Sequence, residues 1–269
     1  MKYAWLFLIL ILYVNRNNMY AQNSTAVPEA DKTALEGIIV EKYYVSDSTD
    51  MKDSTGGVPD PGSTTYRIYV DLKQGYSLQV VYGTAKHELR LQTSTRFYNS
   101  TDVGAMIGYN VSTKKINKGN NALDSYITIN SASNNHAGIL LQEDTDGSIL
   151  TKPAFQKADG LTNGNLPVIK PFNISFACFR DPVNANLFST TNGGWAAISG
   201  IISGAKGPTP ENKILIAQLT TTGKLSFELN LQVGTPSGGT VNYVARNPEG
   251  AELYFEGLTR KESKEPSGY

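Results

Sequence analysis

The sequence predicts an all-β protein: an antiparallel β-sandwich or jelly-roll-like single domain with long loops and at most one short helix. Three observations lead there. Apolar and polar residues alternate at period two in many short segments. Clusters of Gly, Pro and Asn punctuate those segments at short intervals, such as Gly56-Gly57, Pro59-Asp60-Pro61-Gly62 and Ser237-Gly238-Gly239. Helical periodicity is scarce.

Residues 1–21 carry the pattern of a secretory signal peptide. Lys2 precedes an apolar run from Ala4 to Val14. That run is shorter than the roughly 20 residues a spanning helix needs, and cleavage is expected after Ala21. No transmembrane span is then expected. Residues 22–34 read as a flexible leader, residues 35–258 as the β-sandwich domain and residues 259–269 as a disordered charged tail.

Within the domain a first strand is expected over residues 37–45. Tyr66, Ile68, Val70 and Leu72 then share one strand face, with Arg67, Tyr69 and Asp71 on the polar face. Lys73-Gln74-Gly75 reads as a turn, and Leu78, Val80 and Tyr82 as the apolar face of the returning strand, which together predict a β-hairpin. Further strands are expected at residues 89–95, 125–130, 138–142 and 172–179. Residues 195–202 are the one short helix candidate, limited by Gly200. A second hairpin joins residues 214–219 to residues 225–233. There Leu225, Phe227, Leu229, Leu231 and Val233 alternate with Ser226, Glu228, Asn230 and Gln232. Residues 242–245 and 251–256 complete the set. Residues 100–124 and 143–171 remain as long connections, the places to look for a site.

Composition bounds the function. Removal of Lys2 and Arg16 with the signal peptide leaves 22 basic against 24 acidic side chains. That balance offers no electrostatic reason to expect nucleic acid or an anionic membrane as a partner. The single Cys178 cannot form an internal disulfide, and a chain of this length can bury a sufficient core without one. It is expected as a small buried hydrophobe on the 172–179 strand.

Two acidic loops invite a calcium reading, because hard cations take several oxygen ligands from one loop. Asp47, Asp50 and Asp53 fall within seven residues, and Asp144 and Asp146 stand in a D-x-D-G order. The second loop lacks an acidic twelfth position, which counted from Asp144 is Phe155. The competing reading is ordinary turn capping, so no cofactor is expected, with calcium as the one exception to test. The two histidines, His87 and His136, and the lone cysteine make no zinc pattern. No Gly-x-Ser-x-Gly elbow is present and no carboxylate pair stands out. The expectation is therefore a non-catalytic protein, with a polysaccharide hydrolase as an alternative. For ligand contact, Tyr69, Tyr98 and Trp195 are the candidates, as planar rings able to stack on sugars. The competing reading is that tyrosine is common in strands for packing reasons.

The stretches Gly62–Leu72, Gly75–Gly83, Thr93–Asn99, Asp124–Ile129 and Leu215–Gly223 resemble segments of a family of secreted β-rich proteins of Bacteroidota and marine bacteria, one without an assigned activity. The likeness spans residues 36–245. It implies an extracellular β-rich module at the cell surface; some relatives are parts of larger type IX-secreted surface proteins. Nothing after Leu258 resembles a sorting domain for that route, which keeps the periplasm open beside the secreted and surface locations. The function expected is an exported binding or structural-assembly module, with a protein or glycan partner or self-association.

Overall fold

The strands follow from the alternation, but their partners are seldom neighbours in sequence. The computed structural model describes residues 26–164, 166–180, 185–199 and 202–261. The expected signal peptide and residues 262–269 of the expected tail lie outside them. In chain order the strands are β1 (Leu35–Val45), β2 (Thr64–Leu72), β3 (Ser77–Tyr82), β4 (Leu89–Thr93), β5 (Tyr126–Ile127) and β6 (His136–Gly138). Next come β7 (Leu161–Asn163), β8 (Val168–Phe172), β9 (Leu187–Thr190), β10 (Gly194–Ser199), β11 (Ile202–Ser203) and β12 (Lys213–Thr221). The last are β13 (Leu225–Glu228), β14 (Leu231–Gly234), β15 (Thr240–Val244), β16 (Leu253–Tyr254) and β17 (Thr259–Arg260). Among the described residues there are two one-turn α-helices, α1 (Glu29–Lys32) and α2 (Thr113–Ile116), where one at most was expected.

The first sheet has the order β1-β2-β12-β5. The second runs β11-β10-β3-β14-β15-β16, with β8 on the opposite edge of β10. The third is β17-β13-β4-β9, and β6 pairs with β7. All these strand pairs are antiparallel except β15 with β16. The result is the expected all-β, sandwich-like arrangement. Ile68, Val70 and Leu72 of the first sheet share the main core with Leu78, Val81, Trp195 and Val233 of the second and Leu91 and Phe227 of the third. Burial of these side chains is the principal stabilising term.

The opposite face of the first sheet is also covered. The long connections bring Ala105, Val111, Ile116, Leu123, Leu150 and Phe155 against Tyr43, Tyr69, Tyr126 and Leu215 in a second core. The polar-face assignment of Arg67 and Tyr69 is therefore corrected: both are buried. The two long connections act as a packed layer.

Neither expected hairpin forms. The Lys73-Gln74-Gly75 turn, with Gly75 at φ +92°, passes the chain from the first sheet to the second. Thr222-Gly223 similarly passes it from the first sheet to the third. All five apolar positions from Leu225 to Val233 are buried as expected, yet the strand breaks at Leu229-Asn230 and changes sheets. Asn230 stitches that break: its Nδ2 donates to the carbonyls of Tyr82 (3.1 Å) and His87 (3.2 Å), and its Oδ1 accepts from the Ala245 amide (3.2 Å).

Other elements differ as well. The expected helix at 195–202 begins with strand β10, because Gly193 and Gly194 let its start press between two backbones. A Cβ on Gly193 would lie 2.4 Å from the Asn173 carbonyl oxygen, and one on Gly194 2.2 Å from that of Val81. The expected 172–179 strand ends at Phe172, and Ala177–Phe179 forms a 3-10 turn that still buries Cys178. Order starts before Leu35: Ala34 is buried and its amide donates to the Tyr243 hydroxyl. Thr259 and Arg260, expected in the tail, pair with β13. Among the described residues, no helix is long and apolar enough to cross a membrane.

Candidate functional site: a groove on the outer face of the second sheet

The outward face of the second sheet is built by register. In an antiparallel pair, directly opposed residues project from the same face. Gly194 opposes Phe172 on one side and Tyr82 on the other. Two rings therefore flank a residue without a side chain. Two positions along, Lys170, Ala196, Val80, Gln232 and Asn242 form a second row across five strands.

Phe172, Tyr82, Val80, Gln232, Asn242 and Glu252 line an open groove of about 690 Å³, together with Thr84 and Asn192. Such a volume lies within the range of small-ligand sites. The Gln232 Nε2 donates to Asn242 Oδ1 at 3.3 Å. Among the described residues, the Gln232 Oε1 and the Asn242 Nδ2 have no protein partner and remain available to a ligand.

Glu252 is the one carboxylate among the described lining residues. Its Oε2 lies 2.8 Å from His87 Nε2 and accepts from the Glu249 amide at 2.8 Å. His87 is buried behind it. Burial, reinforced by the Glu252 charge, pushes the Tyr82 hydroxyl well above the usual phenol range. It stays protonated at neutral pH and offers a donor. The groove thus presents two rings, two amides, a phenol and one restrained carboxylate.

The residues expected to form sites lie elsewhere. Tyr69 is fully buried in the second core, and its hydroxyl donates to the Ile139 carbonyl at 2.8 Å. Trp195 is fully buried in the main core, where its Nε1 donates to the Thr128 carbonyl at 2.8 Å. Neither ring can stack on an outside ligand. Tyr98 is half-buried and lines a separate cleft of about 340 Å³ beside the Arg96–Asp60 ion pair. Its hydroxyl donates to the Gly56 carbonyl at 2.8 Å.

The acidic candidates divide between capping and ion pairing. Asp47 Oδ1 accepts from the Thr49 amide and hydroxyl, which hold its carboxyl below the usual range. Asp53 caps Thr55 in the same manner. Asp50 is buried against the Lys152 ammonium and the Tyr44 hydroxyl, so a lysine already sits beside its carboxylate. Asp144 accepts from the amides of Asp159 (2.7 Å) and Gly160 (2.8 Å), and burial raises its carboxyl. Asp146 accepts from the Thr162 hydroxyl at 2.7 Å. Among the described residues, no three His, Cys, Asp or Glu side chains converge as a metal set would.

Sequence reasoning missed Tyr82 because strict alternation places it on the apolar face with Leu78. The pairing of β3 with β14 slips by one residue at Gln79. A slip of that kind reverses the faces beyond it. Val81 turns into the core, and Val80 and Tyr82 turn out. Comparison of the chain with protein-family models, curated proteins and solved structures finds no match.

Proposed function

We propose that this chain is an exported, non-catalytic β-sandwich module that binds a saccharide in the groove of its second sheet. The observation that carries the reading is the pair of rings, Phe172 and Tyr82, held on either side of Gly194 with the Gln232–Asn242 amide pair one row away. Sugar rings present C–H faces that stack on aromatic rings, and hydroxyls that need donors and acceptors at their edges. The groove offers both. Export rests on the Lys2 to Val14 pattern, and the resemblance to secreted proteins of Bacteroidota agrees with it. The locations consistent with it are the extracellular space, the cell surface and the periplasm.

A glycan array probed with the protein tests the binding reading. Tyr82→Ala is compared in parallel, with its melting temperature recorded. The expected result is a selective set of bound glycans, lost in the variant. No bound glycan for the folded protein overturns the reading. Fractionation of cells producing the full chain tests export, and recovery in the cytoplasm alone would count against it.

A further inference from the structure

The groove is longer than one sugar and nearly uncharged. Phe172 and Tyr82 sit two strand spacings apart, about 10 Å. A single pyranose cannot cover both rings. From Phe172 on β8 to Asn242 on β15 the face crosses four spacings, about 19 Å. The rings and amides lie along this crossing direction, in adjacent rows of one sheet face. Gly194 keeps the passage between the rings open, and its neighbour's backbone leaves no room for a side chain there. The one lining carboxylate, Glu252, faces His87 and the Glu249 amide. It would repel an acidic sugar, and Lys170, at the β8 end of the second row, stands outside the groove lining.

Building on the saccharide reading, we infer that the groove takes an extended, neutral oligosaccharide laid across the strands from Phe172 to Asn242. The ligand is the interior of a straight chain rather than a terminal sugar. Phe172 and Tyr82 stack on sugars separated along that chain, and Gln232 and Asn242 engage its hydroxyls. An extended backbone of the β-1,4 kind follows this path, whereas a coiled α-1,4 chain turns away from it.

Titration calorimetry with oligosaccharide ladders of one to six residues tests this. The probes are β-1,4-linked gluco-, xylo- and manno-oligosaccharides, with malto-oligosaccharides as the coiled series and oligogalacturonate as the acidic one. At least one β-1,4 series is expected to gain tenfold or more in affinity between disaccharide and tetrasaccharide. Phe172→Ala and Asn242→Ala, at opposite ends, are each expected to erase that step at unchanged melting temperature. Equal affinity for one and four sugars would overturn the inference while leaving saccharide binding in place. So would tighter binding of the malto or galacturonate series. If no ladder and no array glycan binds, the inference and the functional reading fall together.

Discussion

The Arg67 guanidinium carbon stands 3.5 Å from the centre of the Tyr43 ring, inside a core that solvent does not reach. Arg67 Nε also donates to Gln218 Oε1 (2.9 Å) and its Nη1 to the Gly160 carbonyl (2.8 Å). A buried cation persists only when its donors are used and its charge is met. The Tyr43 face and the nearby Glu41 carboxyl meet it here. This side chain ties the first sheet to the loop layer. Arg67→Ala should lower the unfolding free energy by about 3–5 kcal/mol, as when one member of a buried charge network is removed. Arg67→Lys should recover little, because an ammonium lacks the planar fork. Denaturant titration checks this; a loss under about 1 kcal/mol would show that the network contributes little.

Asp124 predicts a pH dependence. Burial raises its carboxyl to about 7, against the opposing pull of the Ser100 and Ala105 amides. In the unfolded chain it titrates near the ordinary value of about 3.9. Between those values the folded state holds a proton that the unfolded state has released. The contribution is therefore complete below about pH 4 and is lost as pH rises to about 7. At about 1.4 kcal/mol per unit, some 2–3 kcal/mol should be lost between pH 5 and pH 7 or above. Unfolding of the protein and of Asp124→Asn at pH 5 and pH 8 reads the difference, since other groups cancel. Equal slopes would show that Asp124 ionises normally.

Asn230 is the joint between the third and second sheets. Asn230→Ala strips hydrogen bonds from the Tyr82 and His87 carbonyls and the Ala245 amide. With roughly 1–3 kcal/mol for each buried group left unpaired and partial relaxation, a loss of about 2–4 kcal/mol is expected. Thermal melting measures it, and hydrogen exchange should show faster opening at Tyr82 and Ala245.

Gly194 separates the groove's rings and touches β3. Gly194→Ala places a Cβ 2.2 Å from the Val81 carbonyl oxygen. The strand must shift, at a cost of about 2–3 kcal/mol. Melting temperature and saccharide affinity should fall together; retention of both would show that β10 can move freely.

Cys178 should be inert in the folded protein. It is 2% exposed, and burial raises its thiol to about 12. A thiol reactive only as thiolate will not be modified from that position. A thiol-titrating disulfide reagent should detect no group in buffer and one in denaturant. Rapid reaction in buffer would mean that the turn at Ala177–Phe179 opens readily.

Much of this protein is written locally. Alternation alone places Leu225, Phe227, Leu229, Leu231 and Val233 inside, and identifies an all-β chain, because side chains alternate across any strand whatever it pairs with. The same rule buries Ile68, Val70 and Leu72 correctly. Strand pairing is a different matter. β2 and β3 adjoin in sequence and join different sheets, since a three-residue turn serves a corner as well as a hairpin. The burial of Tyr69 and Arg67 depends on loops far along the chain that cover their face. Tyr82 faces outward only because β14 meets β3 across a one-residue slip. Phe172, Gln232, Asn242 and Glu252 reach one groove from separate parts of the sequence. Period and turn chemistry act within a few residues, so the sequence can be read for class and core. Register, sheet exchange and coverage are decided between distant segments, and the tertiary structure alone brings the groove together.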